Sequence, residues 1–111
     1  MAYKVIIRGE AQADTQEAYN YYEQQRTGLY YEQQRTGLGE EFLMALIKRY
    51  DDLAEHPSHY SYIEEQPEKL LRDARIERFP YVVVFEIKGE EVTVYAVHNT
   101  HKHQRGKLRR T

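Results

Sequence analysis

The sequence predicts an α+β domain of order β-α-α-β-β-β, with a helical hairpin packed on one face of a mostly antiparallel four-stranded sheet. Three observations carry the prediction. A β-branched run opens the chain, two segments of helical period follow one another, and the last third holds apolar runs separated by Pro80 and Gly89.

The elements follow in order. Tyr3-Lys4-Val5-Ile6-Ile7-Arg8 alternates imperfectly and is rich in β-branched residues, so it reads as a strand. Ala11 to Gln25 is built of good helix formers, with Ala11, Thr15, Ala18, Tyr19 and Tyr22 at the steps of one buried face. Glu10 and Asp14 suit the positive end of that helix, Asn20 and Glu23 its surface, and Gly28 is a natural stop. Glu40 to Glu55 forms a second helix whose apolar face is Phe42, Leu43, Leu46, Ile47, Tyr50, Leu53 and Ala54, and Pro57 ends it. A loop runs from Pro57 to Pro67. Leu71–Arg78 alternates as a strand, and Pro80 fits an edge or a break. Tyr81–Ile87 is a continuous apolar run suited to a central strand, and Val92–Val97 returns antiparallel to it after Gly89.

One feature stands outside this pattern. Tyr21–Leu29 is repeated without a difference as Tyr30–Leu38. A nonapeptide is too short for a solenoid unit, which runs to ~20–50 residues. The extra copy is therefore an insertion into a single domain spanning 1–111, with 30–38 as the duplicated segment, looped out or extending the helical hairpin. Nine more helical residues would advance the helix by ~13.5 Å and half a turn, so a continuous helix is excluded as a neutral solution. Looping the second copy out keeps Tyr22 in the core at a small closure cost. The longer connection also permits a homodimer that exchanges the first helix.

Composition narrows the class. The chain has 111 residues, 31% charged and 41% hydrophobic, which fits one globular domain. With no cysteine there is no disulfide framework or thiolate zinc site. No apolar run is long enough for a membrane span, and the N-terminus does not open a signal peptide, so a cytoplasmic protein without membrane contact is expected.

The net charge of −2 hides an asymmetry: residues 1–68 hold 6 Lys/Arg and 13 Asp/Glu, residues 69–111 hold 10 and 5. The C-terminal tail carries Lys102, Arg105, Lys107, Arg109 and Arg110 with no acid, which seeks a polyanion or an acidic partner. Arg72, Arg75 and Arg78 alternate along one predicted strand and would line a cationic face for phosphate or carboxylate. His98, His101 and His103 offer an acid–base group titrating near neutrality. No acidic or cysteine ligand stands beside them, so neither a metal nor another cofactor is expected.

The order of elements and the phrases that fill it resemble the RelE/ParE superfamily of bacterial toxins from type II toxin–antitoxin systems. The phrases are E-A-Q-A-D-T-Q-E-A-Y-N-Y-Y after the first strand, G-L-G-E-E-F-L opening the second helix and H-P closing it. R-I-E-R-F-P-Y-V-V-V-F-E-I and V-T-V-Y-A-V-H-N-T-H complete the set, which spans the chain apart from the extra nine residues. The resemblance implies a small cytoplasmic, plasmid-stabilisation-like toxin neutralised by a cognate antitoxin. Its target is DNA gyrase in one branch of the superfamily and ribosome-bound mRNA in the other.

Against the nuclease branch, the catalytic arginine position falls on Val82, and no tyrosine follows Tyr95. The R-F-P-Y phrase and long hairpin look more like the ParE-like, gyrase-poisoning branch. Three readings follow. The first is a toxin that binds its target without chemistry. The second is a ribosome-dependent mRNA endoribonuclease using His98 or His101 with Arg75 and Arg78. The third is an engineered scaffold in which the duplication acts as a conformational switch, and it alone accounts for the perfect repeat.

Overall fold

In a computed structural model of the chain, residues 2–26, 37–64 and 67–101 are described. The elements are β1 (Lys4–Ile7), α1 (Gly9–Arg26), α2 (Leu38–Glu55), β2 (Arg72–Arg75), β3 (Tyr81–Lys88) and β4 (Glu91–Asn99). Short 3-10 turns at Pro57–His59 and Pro67–Lys69 lie between α2 and β2. The four strands run in the order β1-β4-β3-β2. β1 is parallel to β4, and the other two pairings are antiparallel. Both helices pack on this mixed sheet, as the pattern of apolar positions predicts.

β3 explains why the sheet is central to the core. Tyr81 to Phe85 are all buried, because both faces of this strand are covered. Tyr81, Val83 and Phe85 join Ala11, Ala18, Tyr22, Phe42, Leu46 and Leu53 under the helices. Val82 and Val84 join Ala96, Ile63 and Leu71 on the other face, beneath the chain that links α2 to β2. A continuous apolar run is what such a doubly covered strand requires.

A bulge keeps β4 in step with this arrangement. Val84 pairs with Ala96 but Phe85 pairs with Val94, which leaves Tyr95 as the extra residue. The shift places Val92, Val94 and Val97 together in the helix-side core although they do not alternate strictly in sequence. β1 reaches only as far as Val94, so the next outward amide of β4 lacks a strand partner. Asp14 of α1 supplies one, accepting from the Val97 N–H at 3.0 Å.

The helices are joined to the sheet through four rings. Tyr22 of α1, Phe42 of α2, Phe79 and Tyr81 are each buried. Tyr22 lies 5.6 Å from Phe42 and 5.1 Å from Phe79, and Phe42 lies 5.4 Å from Phe79 and 5.1 Å from Tyr81. Most of these pairs meet edge-on, the arrangement that suits the ring quadrupole. Beside this cluster the helices come so close that Gly39 has no room for a side chain. A Cβ there would stand 2.6 Å from the Glu23 carboxylate and 2.9 Å from the Tyr19 ring. Gly37, with φ 84, supplies the left-handed residue that starts α2.

The nonapeptide thus contributes from both copies. Tyr21 and Tyr22 of the first copy lie near the end of α1, and Gly37 and Leu38 of the second open α2. Residues 27–36, with Gly28 and Tyr31, lie outside the described residues.

The structure corrects several expectations. The second strand stops at Arg75, because Ile76 to Pro80 form a turn in which Phe79 N–H donates to Ile76 O at 3.3 Å and Arg78 takes φ 73. Ile47 is 56% exposed rather than buried, since Phe42, Leu46 and Leu53 already occupy the inward stripe of α2. Glu23 is half-buried against Gly39 rather than lying free on the surface.

Two measurements check this packing. Tyr22→Ala should lower unfolding free energy by ~3 kcal/mol in a urea melt, as truncation of a large core ring does. Gly39→Ala should also destabilise, since overpacking costs ~1–3 kcal/mol against ~1 kcal/mol of helix propensity gained. Wild-type stability in either variant would show that the helices do not meet at this point.

Alkaline titration supplies the second. Burial pushes the Tyr22 and Tyr50 hydroxyls up to about 12, with Tyr81 and Tyr21 adding to the effect at Tyr22 and Asp14 at Tyr50. Folded values above the ordinary 10.0 mean that the folded state holds these protons more tightly. Their contribution is complete below pH 10 and is lost as pH rises toward about 12. The urea midpoint should therefore stay level until pH ~10 and then fall, and Tyr22→Phe with Tyr50→Phe should flatten that fall. An equal fall in the double variant would assign it to other groups.

Candidate binding groove and cross-strand row

Five of the residues singled out in the sequence, Arg75, Arg78, Val82, His98 and His101, fall into two arrangements. The first is a row across three strands. Arg75 pairs with Val82, and Val82 pairs with His98, so the three stand side by side from β2 through β3 to β4. Adjacent strands are ~4.8 Å apart, which puts the outer two backbones ~10 Å from one another. Val82 is 4% exposed and His98 is 7% exposed, so only Arg75 is open to solvent. At the centre of the row are the methyl groups of a valine packed against Ile63, Val84 and Ala96.

The second arrangement is an open groove of about 550 Å3 between α2 and the turn that joins β2 to β3. Arg49, Arg75, Arg78 and His101 line it, together with Glu77 and an apolar wall that includes Phe79. Arg78 is held by Glu41 at 3.1 Å and lies 5.7 Å from the Phe79 ring centroid. His101 follows β4, its N–H donating to Asn99 Oδ1 at 2.9 Å. It also borders a wider cleft of about 830 Å3 beside α1, where Asp14 and Glu17 supply the charge of a lining that includes Ala18, Tyr81 and Val97. A basic groove and an acidic cleft therefore meet at one exposed histidine.

The three arginines of the predicted strand do not share a face. Arg72 and Arg75 are three apart in an extended strand and so point to opposite sides, and Arg78 lies in the turn beyond it. The Arg72 guanidinium is turned onto the loop before β2. It donates to Ser58 O at 3.4 Å and Tyr60 O at 2.6 Å, and it sits 4.0 Å over the Tyr62 ring. Lys102, His103, Arg105, Lys107, Arg109 and Arg110 lie outside the described residues.

Sequence reasoning missed Arg49. Its neighbours in α2 gave no sign of it, because a cation on an amphipathic helix ordinarily faces water. The nearest signal was Asp52 three residues on, a spacing at which side chains meet.

A family model described as "ParE toxin of type II toxin-antitoxin system, parDE" matches residues 5–104. The chain belongs to the ParE toxin family. A solved structure titled "Chromosomal ParDE TA system from P. aeruginosa" is similar over 88% of this chain and 96% of that one, at a TM-score of 0.64 and 16% identity. At that identity the likeness speaks for the fold. No curated protein sequence matches the chain.

For a ParE-family toxin, the groove brings cations and apolar surface together. His98 lies buried in the row, whereas His101 stands in the groove. Among the described residues no group of three or more His, Cys, Asp or Glu could hold a metal ion, and no helix is long and apolar enough to cross a membrane.

Proposed function

We propose that this ParE-family toxin acts in the cytoplasm by binding a cellular target such as DNA gyrase, without cutting RNA, and that a cognate antitoxin neutralises it by covering the arginine groove. The observation that carries this reading is Val82. Cleavage of RNA through its 2′-hydroxyl needs a cation at the phosphate and an acid–base pair around it. Here the row that could assemble these groups has two methyl groups between Arg75 and His98, and His98 is withdrawn from solvent. A charge introduced at this position would also have to be buried, at high cost. The groove, by contrast, is accessible and cationic, which suits recognition of acidic groups on another macromolecule.

The test sets both targets against the same purified toxin. Supercoiling by gyrase should be inhibited, and primer extension on message from translating ribosomes should show no new cut. Cut message that disappears in His98→Ala or His101→Ala protein would make the toxin a ribosome-dependent nuclease instead. For the antitoxin, Arg75→Glu with Arg78→Glu should weaken the complex, and more so at low salt, where exposed charges are least screened. Equal affinity at every ionic strength would place the antitoxin elsewhere.

A further inference from the structure

Among the cations of the groove, one is held differently from the rest. Arg78 is 61% exposed on its side chain, and Arg75 is exposed at the end of β2. The Arg49 side chain is only 25% exposed and is fixed at several points. Its Nε–H donates to Arg75 O at 2.8 Å, and Nη1 donates to the Tyr60 hydroxyl at 2.8 Å. Its guanidinium carbon lies 5.7 Å from the Tyr60 ring centroid, and Nη1 is 3.9 Å from Asp52 Oδ2. The Tyr60 hydroxyl in turn donates to the same Asp52 oxygen. Burial first, and then this bond to Asp52, raise the pKa of Tyr60, so its proton stays in place to make the bond. The guanidinium carries five N–H groups, and the bonds to Arg75 O and the Tyr60 hydroxyl use two of them.

We propose that this groove is a carboxylate-binding site for an acidic segment of a partner protein, with Arg49 as its fixed anchor and Tyr60 and Asp52 as the residues that position it. The proposal rests on the binding reading above and names the chemistry of the ligand. A guanidinium whose geometry is set beforehand loses little freedom on binding and can take a carboxylate through paired N–H groups. The neighbours of Arg49 favour a peptide over a nucleic acid. Ile76, Phe79 and Pro80 add an apolar wall, which suits acidic residues interspersed with apolar ones. Arg49 also ties α2 to the outer edge of β2 through Arg75 O, so the anchor and the strand it borders move as one unit.

The test is a calorimetric titration of the full chain with two probes, hexaglutamate and hexathymidylate, independent of any gyrase or ribosome assay. Hexaglutamate should bind the parent protein, and Arg49→Gln should weaken it by about tenfold, the loss expected for one charge-assisted pair. Arg49→Lys should not restore binding, because a single ammonium lacks the fork. Lys4→Gln, which removes one positive charge from β1, should bind as the parent does.

Tyr60→Phe keeps the ring and should weaken hexaglutamate severalfold, while the Arg49 Nη resonance, whose acceptor is removed, loses its protection from exchange with water. That resonance separates positioning from a loss of fold, and it carries the test if Arg49→Gln fails to fold. Equal hexaglutamate affinity in Arg49→Gln and Lys4→Gln protein would overturn the proposal, and so would Tyr60→Phe that leaves affinity and exchange unchanged. Tighter binding of hexathymidylate that depends on Arg49 would show a phosphate site in place of a carboxylate site.

Discussion

The rings of Tyr22, Phe42, Phe79 and Tyr81 meet where the end of α1, the first turns of α2 and the start of β3 converge. Each comes from a different segment, so none of these segments has this part of the core without the others. The groove depends on the same junction. Phe79 is both a member of the cluster and part of the groove wall, and Arg78 beside it is tied to Glu41 in the first turn of α2. A toxin surface that must be ready for a partner is thus held by aromatic packing, not by the surface ion pairs, whose individual worth is small.

The central strand shows how packing limits chemistry. Val82 faces Ile63, Val84 and Ala96 because the chain after α2 folds over this side of the sheet. A strand covered on both faces cannot also present a charge from its middle without leaving it buried. The apolar cover and the missing cation are two aspects of one arrangement. What remains cationic has been moved to the rim, in the turn after β2 and on the outer side of α2.

Most of the fold was legible because its signals are periodic. The stripe of Phe42, Leu46 and Leu53 marked α2, and the run Tyr81–Phe85 marked a strand buried on both sides. The end of β2 was not legible, since Ala74 and Ile76 continue the alternation of a strand and the backbone turns only beyond them. A shared face for Arg72, Arg75 and Arg78 fails separately, because a spacing of three changes sides at each step of an extended strand. Arg75, Arg78 and His101 do meet in a groove, but through tertiary packing of α2 against the turn, which no local spacing encodes. The same is true of Arg49, whose role appears only when Tyr60 and the carbonyl of Arg75 are seen beside it.

The central claim is that one aromatic junction couples both helices to the sheet, and native-state amide hydrogen exchange on Phe42→Leu protein tests it most directly. The account predicts that amides in Ala18–Tyr22, Phe42–Leu46 and Tyr81–Val83 lose protection together, by a common ~1–2 kcal/mol. Loss confined to α2, with α1 and β3 protected as in the parent, would show that the helices are held to the sheet independently and would contradict it.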